Sequence, residues 1–309
     1  MNPENMKINA PDNTVQAVRN LIEHYAVRNV TLERGDKDKA PVMLLPQGLT
    51  VHSIKPYLDE YLDKPERRTG TAHMKDLASF IMHTMRFADC DSAIFADDNS
   101  TKPCLLTVFD YHRAGNDADP RFCKHRAVYE FPLSDEWMAW KQNNGASKAM
   151  SQAEFAEFLE NRITDVIASD TDNDEKLKAF SVLLGSTFAT PTKLVELSRG
   201  LSIHEGVQVK QAVNLGSGEA QITYSSQHQN EAGEMLKVPN LFCIAIPVFR
   251  NGPLYQLAVR LRYRLRSGNI TWHYELYRAE KTFEHAFQEA CSAVAAQTSL
   301  PVFVGSPEY

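Results

Sequence analysis

The sequence predicts an α+β fold: N-terminal helices with a small sheet, followed by a C-terminal antiparallel sheet packed with a long helix. Three observations carry that prediction. Residues 152–168 set Phe155, Phe158, Leu159, Ile163, Val166 and Ile167 on one helical stripe, opened by a Ser151–Glu154 capping box. From residue 202 the apolar period changes to two, with strands expected at 206–214, 219–226, 241–249, 255–266 and 270–277. The GSG, NEAGE, RNGP and RSGN turns between them are too short for parallel crossovers, so the sheet is antiparallel. Residues 280–297 return to helical spacing, and Phe283, Ala286, Phe287, Ala290 and Val294 form a face that can cover a sheet.

The remaining elements follow in chain order. Asn13 or Thr14 caps a helix to about Val27, with Val15, Val18, Leu21, Ile22 and Tyr25 at helical spacing. A charged turn, Glu33 to Lys39, leads to an apolar strand from Pro41 to Leu45; its Arg-Gly-Asp tripeptide reads as a solvated turn. Residues 72–88 fit a helix through Met74, Leu77, Phe80, Ile81, Met85 and Phe87. Strands are expected at 92–96, 104–111 and 125–132, separated by DDNSTKP and RAGNDADPR, both rich in turn residues. Ser134 caps a short helix holding Trp137 and Trp140, and helical segments lie near 175–185 and 191–200. The polar run Asp170 to Asp174 is the expected break between an N-terminal region, 1–169, and a C-terminal region, 175–309, unless both form one integrated domain. LPVFVG at the C-terminus reads as a last strand.

Composition narrows the class. The 309 residues hold 33 Lys+Arg against 39 Asp+Glu, a formal charge of −6, and are 43% hydrophobic, which excludes a disordered chain. No apolar run approaches the ~18–20 residues that cross a bilayer, and MNPENMKINAPDNT has no apolar core behind a basic head, so neither membrane span nor secretory signal is expected. Cys90, Cys104, Cys123, Cys243 and Cys291 are odd in number and lack CxxC spacing. That pattern fits free thiols in a reducing cytoplasm better than a disulfide framework or zinc ribbon.

Several segments together are familiar. LLTVFDYH (105–112), HRAVYEFPLSDEW (125–137), SQAEFAEFLE (151–160), LSRGLSIHEGVQVKQAVNLGSGE (197–219) and PVFRNGPLYQLAVRLRYRL (247–265) resemble the YfdQ-like family, uncharacterised proteins encoded by tailed phages and by prophages. The resemblance covers most of the chain and is weakest before about residue 40. It implies a phage or prophage origin and a location in the bacterial cytoplasm. It supplies no reaction, cofactor or catalytic residue to carry over.

The least ordinary local feature is Val259-Arg260-Leu261-Arg262-Tyr263-Arg264-Leu265-Arg266. Alternation along a strand puts Arg260, Arg262, Arg264 and Arg266 on one face, and the returning strand adds Thr271, His273, Glu275 and Tyr277 to that side. Such a row of like charges requires compensation. Three sources are open: Glu275 and acids of a covering helix, an acidic patch on another copy of the chain, or a nucleic-acid backbone with Tyr255, His273 and Tyr277 as stacking partners. Between Glu154 and Glu175 the sequence has Glu154, Glu157, Glu160, Asp165, Asp170, Asp172, Asp174 and Glu175 against Arg162 alone, an acidic counter-surface for self-association.

Candidate chemistry is sparse. Asp110, His112, Cys123 and His125 fall at the loop end of two adjacent expected strands and are ligand types for zinc, though their spacing matches no standard module. The bland alternative is an Asp and a His bracing a long loop. Asp170-x-Asp-x-Asp has Glu175 where a calcium loop needs Gly, and Gly216-Ser217-Gly218 lies between strands, not at a nucleophile elbow. The sequence therefore leads to a non-enzymatic phage or prophage protein acting as a homo-oligomer or a self-assembling, ring- or shell-like body, without cofactor or membrane. A nucleic-acid-binding accessory factor for phage replication or recombination is the first alternative. A metal-dependent enzyme near His112 and His125 is the second.

Overall fold

The computed structural model describes residues 10–24, 28–34, 38–44, 62–115, 120–169, 175–204, 208–216, 218–225 and 234–308. The chain groups into two compact units, 1–67 and 68–309.

In the first unit α1 runs Ala10–His24, and β1 (Arg28–Arg34) pairs antiparallel with β2 (Asp38–Leu44), Arg28 opposite Leu44. The strand expected from Pro41 thus starts earlier and has a partner that the charged sequence Arg28–Arg34 does not advertise. The rest of the Arg-Gly-Asp turn, 35–37, lies outside the described residues.

The second unit contains three sheets. The first has the order β15-β4-β5-β6-β3, with β4 (Ala93–Asp97), β5 (Cys104–Val108) and β6 (His125–Glu130) as an antiparallel meander. Strand β3 (Gly70–Met74) adds parallel to β6, and Asp76 then caps α2 (Leu77–Phe87) by accepting from the Ser79 amide at 2.8 Å. The continuous helix expected over 72–88 is therefore a strand plus a shorter helix; Asp76 starts the helix, and Met74 matches its period by coincidence. Helix α3 (Asp135–Gln142) begins at Ser134 as expected, and α4 (Gln152–Arg162) carries the Ser151–Glu154 capping box.

The second sheet runs β14-β13-β12-β7. Strands β12 (Leu241–Pro247), β13 (Leu254–Arg266) and β14 (Asn269–Leu276) are antiparallel neighbours, joined by the short β7 (Val166–Ile167) and the parallel β8 (Phe188–Ala189). Helices α5 (Glu175–Leu184) and α6 (Pro191–Ile203) flank β8. Residues on both sides of the expected 170–174 break, itself outside the described residues, thus belong to one sheet. The third sheet is β11-β10-β9, from Gln208–Asn214 (β9), Ala220–Ser225 (β10) and Glu234–Val238 (β11).

One aromatic-rich core joins the first two sheets. Helix α7 (Ala279–Thr298) buries Phe283, Ala286, Phe287 and Val294, with Phe287 5.4 Å from Phe131 and Phe283 5.8 Å from Phe249, ring centre to ring centre. It covers elements from both halves of the chain, not the C-terminal sheet alone. Strand β15 (Val302–Val304) then pairs parallel with β4, so the chain's end completes the first sheet.

Candidate functional site

The arginine row is built by a hairpin. Ser267 (φ 49°) and Gly268 (φ 80°) both occupy left-handed backbone, the two-residue turn whose twist matches that of the strands it joins. The resulting register sets Arg260 opposite Glu275, Arg262 opposite His273, Arg264 opposite Thr271 and Arg266 opposite Asn269. The other face, Val259 and Leu261 with Trp272, Tyr274 and Leu276, is buried in the core. The side chains alternate between faces as the sequence predicts, although Leu265 on the apolar face is 40% exposed and His273 on the arginine face is buried.

The four guanidinium groups are not equivalent. Arg260 is half-buried, its guanidinium carbon 6.0 Å from the Phe180 ring centre. Arg262 Nε lies 3.3 Å from Glu275 Oε2, but both side chains are close to half exposed, so the pair contributes only ~0–1 kcal/mol. Arg264 and Arg266 are exposed, and among the described residues no acid pairs with either side chain. Intramolecular compensation therefore reaches one arginine of the four by an ion pair and a second by a ring.

Above the strands lies a cleft of about 670 Å³. Arg260, Arg262, Arg264, His273 and Glu275 line it from the arginine face, and Leu261 and Tyr263 line it from the other face of β13; the rest of its lining is Ala146 from the 3₁₀ turn Ala146–Lys148, Asn214, Gly218 and Ala220 from the β9–β10 hairpin, and Val238, Pro239 and Asn240 before β12. Tyr263 reaches over to donate to Asn214 Oδ1 at 3.2 Å, fixing one wall. His273 is only 3% exposed, and its Nδ1 is enclosed without a hydrogen-bond partner among the described residues. Burial holds its pKa below the ordinary value; Arg264 and Arg262 push the same way and Glu275 partly opposes them. His273 is thus no stacking platform, since only 3% of it is exposed. Tyr277 is on the arginine side and half exposed, with its ring 4.4 Å from that of Phe180. Tyr255 sits on the opposite face and donates to Glu289 at 2.6 Å.

The acidic counter-surface keeps Glu154, Glu157 and Glu160, all exposed, and loses Asp165. Glu154 is occupied in its capping box and Glu160 accepts from Ser198 Oγ at 2.8 Å; Glu157 is exposed. Asp165 does not belong to the surface. It is buried and accepts from Trp140 Nε1 at 2.7 Å.

Asp110, His112, Cys123 and His125 do meet at the loop end of β5 and β6, but as a brace. Asp110 accepts from the Lys124 and His125 amides at 3.1 and 2.9 Å. His112 Nδ1 accepts from the Arg121 amide at 3.0 Å, which assigns the ring proton to Nε2, 3.5 Å from Cys123 Sγ. A histidine held this way has no lone pair free at Nε2 to take the thiol proton. Burial also pushes the Cys123 thiol up, so the pair is not an activated nucleophile. The His125 ring packs 4.5 Å from Phe109, and burial lowers its pKa. Among the described residues no three His, Cys, Asp or Glu side chains converge as a metal site. No helix among them is long and apolar enough to cross a membrane.

The cleft walls escaped sequence reasoning because Ala146, Asn214 and Asn240 are separated along the chain and carry no chemistry that marks them. Searches of curated proteins and of solved structures gave no match. A family model described as "uncharacterized conserved protein (DUF2303)" matches residues 13–307, nearly the whole chain, and the chain therefore belongs to that family.

Proposed function

We propose that this protein acts by binding rather than catalysis, holding a single strand of nucleic acid along its arginine row. The observation that carries this is the pair of exposed arginines without an acidic partner among the described residues, Arg264 in the cleft beside Arg260 and Arg262, and Arg266 continuing the row beyond it. Alternate residues on a strand are about 6.6 Å apart, close to the separation of successive phosphates along an extended single strand. Concavity and exposed cations favour a flexible phosphate chain over a flat protein surface. The resemblance to phage- and prophage-encoded proteins supports a setting in phage replication or recombination in the bacterial cytoplasm. Fluorescence anisotropy with a labelled oligothymidylate tests the reading: affinity is expected to fall steeply as salt is raised, and an absence of binding at low salt overturns it.

A second reading, self-association, is favoured by α1. Val15, Val18, Leu21 and Ile22 are each at least half exposed, and 15, 18 and 22 repeat with the spacing of a two-helix seam. Light scattering at about 0.1 M and about 1 M salt is expected to find an oligomer at both if α1 pairs with that of a second copy. Dissociation at high salt would point instead to the arginine row meeting the Glu157 surface of another copy. A monomer at both salts overturns self-association.

A further inference from the structure

Among the described residues His273 is the buried titratable group of the cleft floor whose environment is unfinished. The residue is only 3% exposed, its Nδ1 has no partner among the described residues, and it lines the cleft between the arginines. Leaving a buried polar atom unpaired costs roughly 1–3 kcal/mol, and because Nδ1 is sealed from the cleft, only the ring edge that borders the cleft can meet a ligand seated there. The register fixes what surrounds it. Arg262 is directly opposite on β13, with Arg264 next along the same face, and Glu275 is two residues away on its own strand. The rest of the lining includes Ala146, Asn214, Pro239 and Asn240, which do not titrate, and Tyr263, whose hydroxyl burial pushes up and which therefore stays neutral. The groups acting on the ring are therefore two cations and one acid, the acid already shared with Arg262 at 3.3 Å.

We infer that one phosphate of the bound strand is held by Arg262, Arg264 and His273 together, and that seating it draws a proton onto His273. This rests on the nucleic-acid reading above and adds to it a specific phosphate position and a proton. The physical argument is a change of sign in the field. In the empty cleft, burial and two guanidinium groups both oppose an imidazolium. A phosphodiester anion neutralises part of that cationic field and offers oxygens that an imidazolium N–H can meet with a charge-assisted hydrogen bond. The proton comes from solvent, no bond to phosphorus changes, and the diester itself does not titrate near neutrality. Because the bound state takes up the proton, affinity must rise as pH falls through the interval between the free and bound values of the histidine.

The experiment uses the full chain and an oligothymidylate with hydroxyl ends, so that the nucleic acid contributes no titration. Binding is expected to be about threefold to tenfold tighter near pH 5.5 than near pH 8 at constant salt. H273Q, which keeps a side-chain donor and cannot become charged, is expected to bind with that pH dependence removed and its salt dependence kept. A pH-stat measurement near pH 6.5 should register a fraction of a proton absorbed per site by the wild type on saturation, which keeps the inference testable if H273Q folds poorly. Equal pH dependence in wild type and H273Q, or no proton absorbed on saturation, overturns the inference while leaving the arginine reading intact. Failure of the wild type to bind at any pH overturns both.

Discussion

Replacing Arg264 and Arg266 together by alanine is expected to weaken single-strand binding about tenfold to a hundredfold at low salt. Each removes a charge-assisted contact worth about 1 kcal/mol or more at an exposed site. The slope of log affinity against log salt should fall by about 1.4, from roughly 0.7 per phosphate neutralised. These two are chosen because neither has an acidic partner among the described residues to compete with a phosphate. Arg262 must first leave Glu275, so R262A should lose less, and E275Q, which frees Arg262 and removes a repelling carboxylate, should bind more tightly. Arg250 lies beside Asp135 at 3.7 Å, outside the row and cleft, and R250A is the control expected to change nothing. Anisotropy titrations across salt, with circular dichroism to check the fold, measure all four variants. An R264A/R266A double variant with the wild-type slope would remove the row from the binding surface.

What the sequence made legible follows from where each piece of information resides. The arginine row was readable because alternation is a property of one strand and needs only the period of the backbone; β13 and β14 then obey it residue for residue. The capping box of α4 and the Ser134 start of α3 are likewise local signals within four residues. Features set by distant chain segments were not readable. The burial of His273 depends on walls near residues 146, 214 and 240, and the pairing of β15 with β4 spans some two hundred positions. Strand β11 (Glu234–Val238) was missed because five residues, two of them charged, carry too short a pattern to stand out from a polar turn. Asp165 does not read as buried for the same reason: Trp140, which binds it, comes from another element, whereas Glu154, Glu157 and Glu160 are on the surface as the sequence places them.

Trp140 joins those elements, and Trp140→Ala is expected to destabilise the 68–309 unit by about 3–5 kcal/mol, a large share of the ~5–15 kcal/mol that holds a typical domain together. Its side chain is fully buried, with ring centres 4.9 Å from Phe158, 5.1 Å from Tyr274 and 5.9 Å from Phe242, so one deletion strips helix α4 and two strands of the second sheet, β14 and β12, of a shared contact. Its carbonyl accepts from the Tyr274 hydroxyl at 2.8 Å, while its Nε1 donates to Asp165. The second link gives the pH dependence a sign. Burial raises the Asp165 carboxyl above its ordinary value, with the Trp140 N–H pulling the other way. The stabilisation tied to a raised carboxyl is complete below the unfolded value, near 4, and is lost as pH rises through the folded value. Asp165→Asn keeps an acceptor for Trp140 without a buried charge, so at pH near 7 it should be as stable as the wild type or more so, and its stability should vary less with pH above about 4. Trp140→Phe keeps the packing but takes away the donor that favours the carboxylate. Its deficit relative to wild type should therefore widen from acid to neutral pH, while the deficit of a Trp140→Phe/Asp165→Asn double variant should not. Urea unfolding of the set at both pH values decides it: parallel deficits would mean that the tryptophan acts through packing alone.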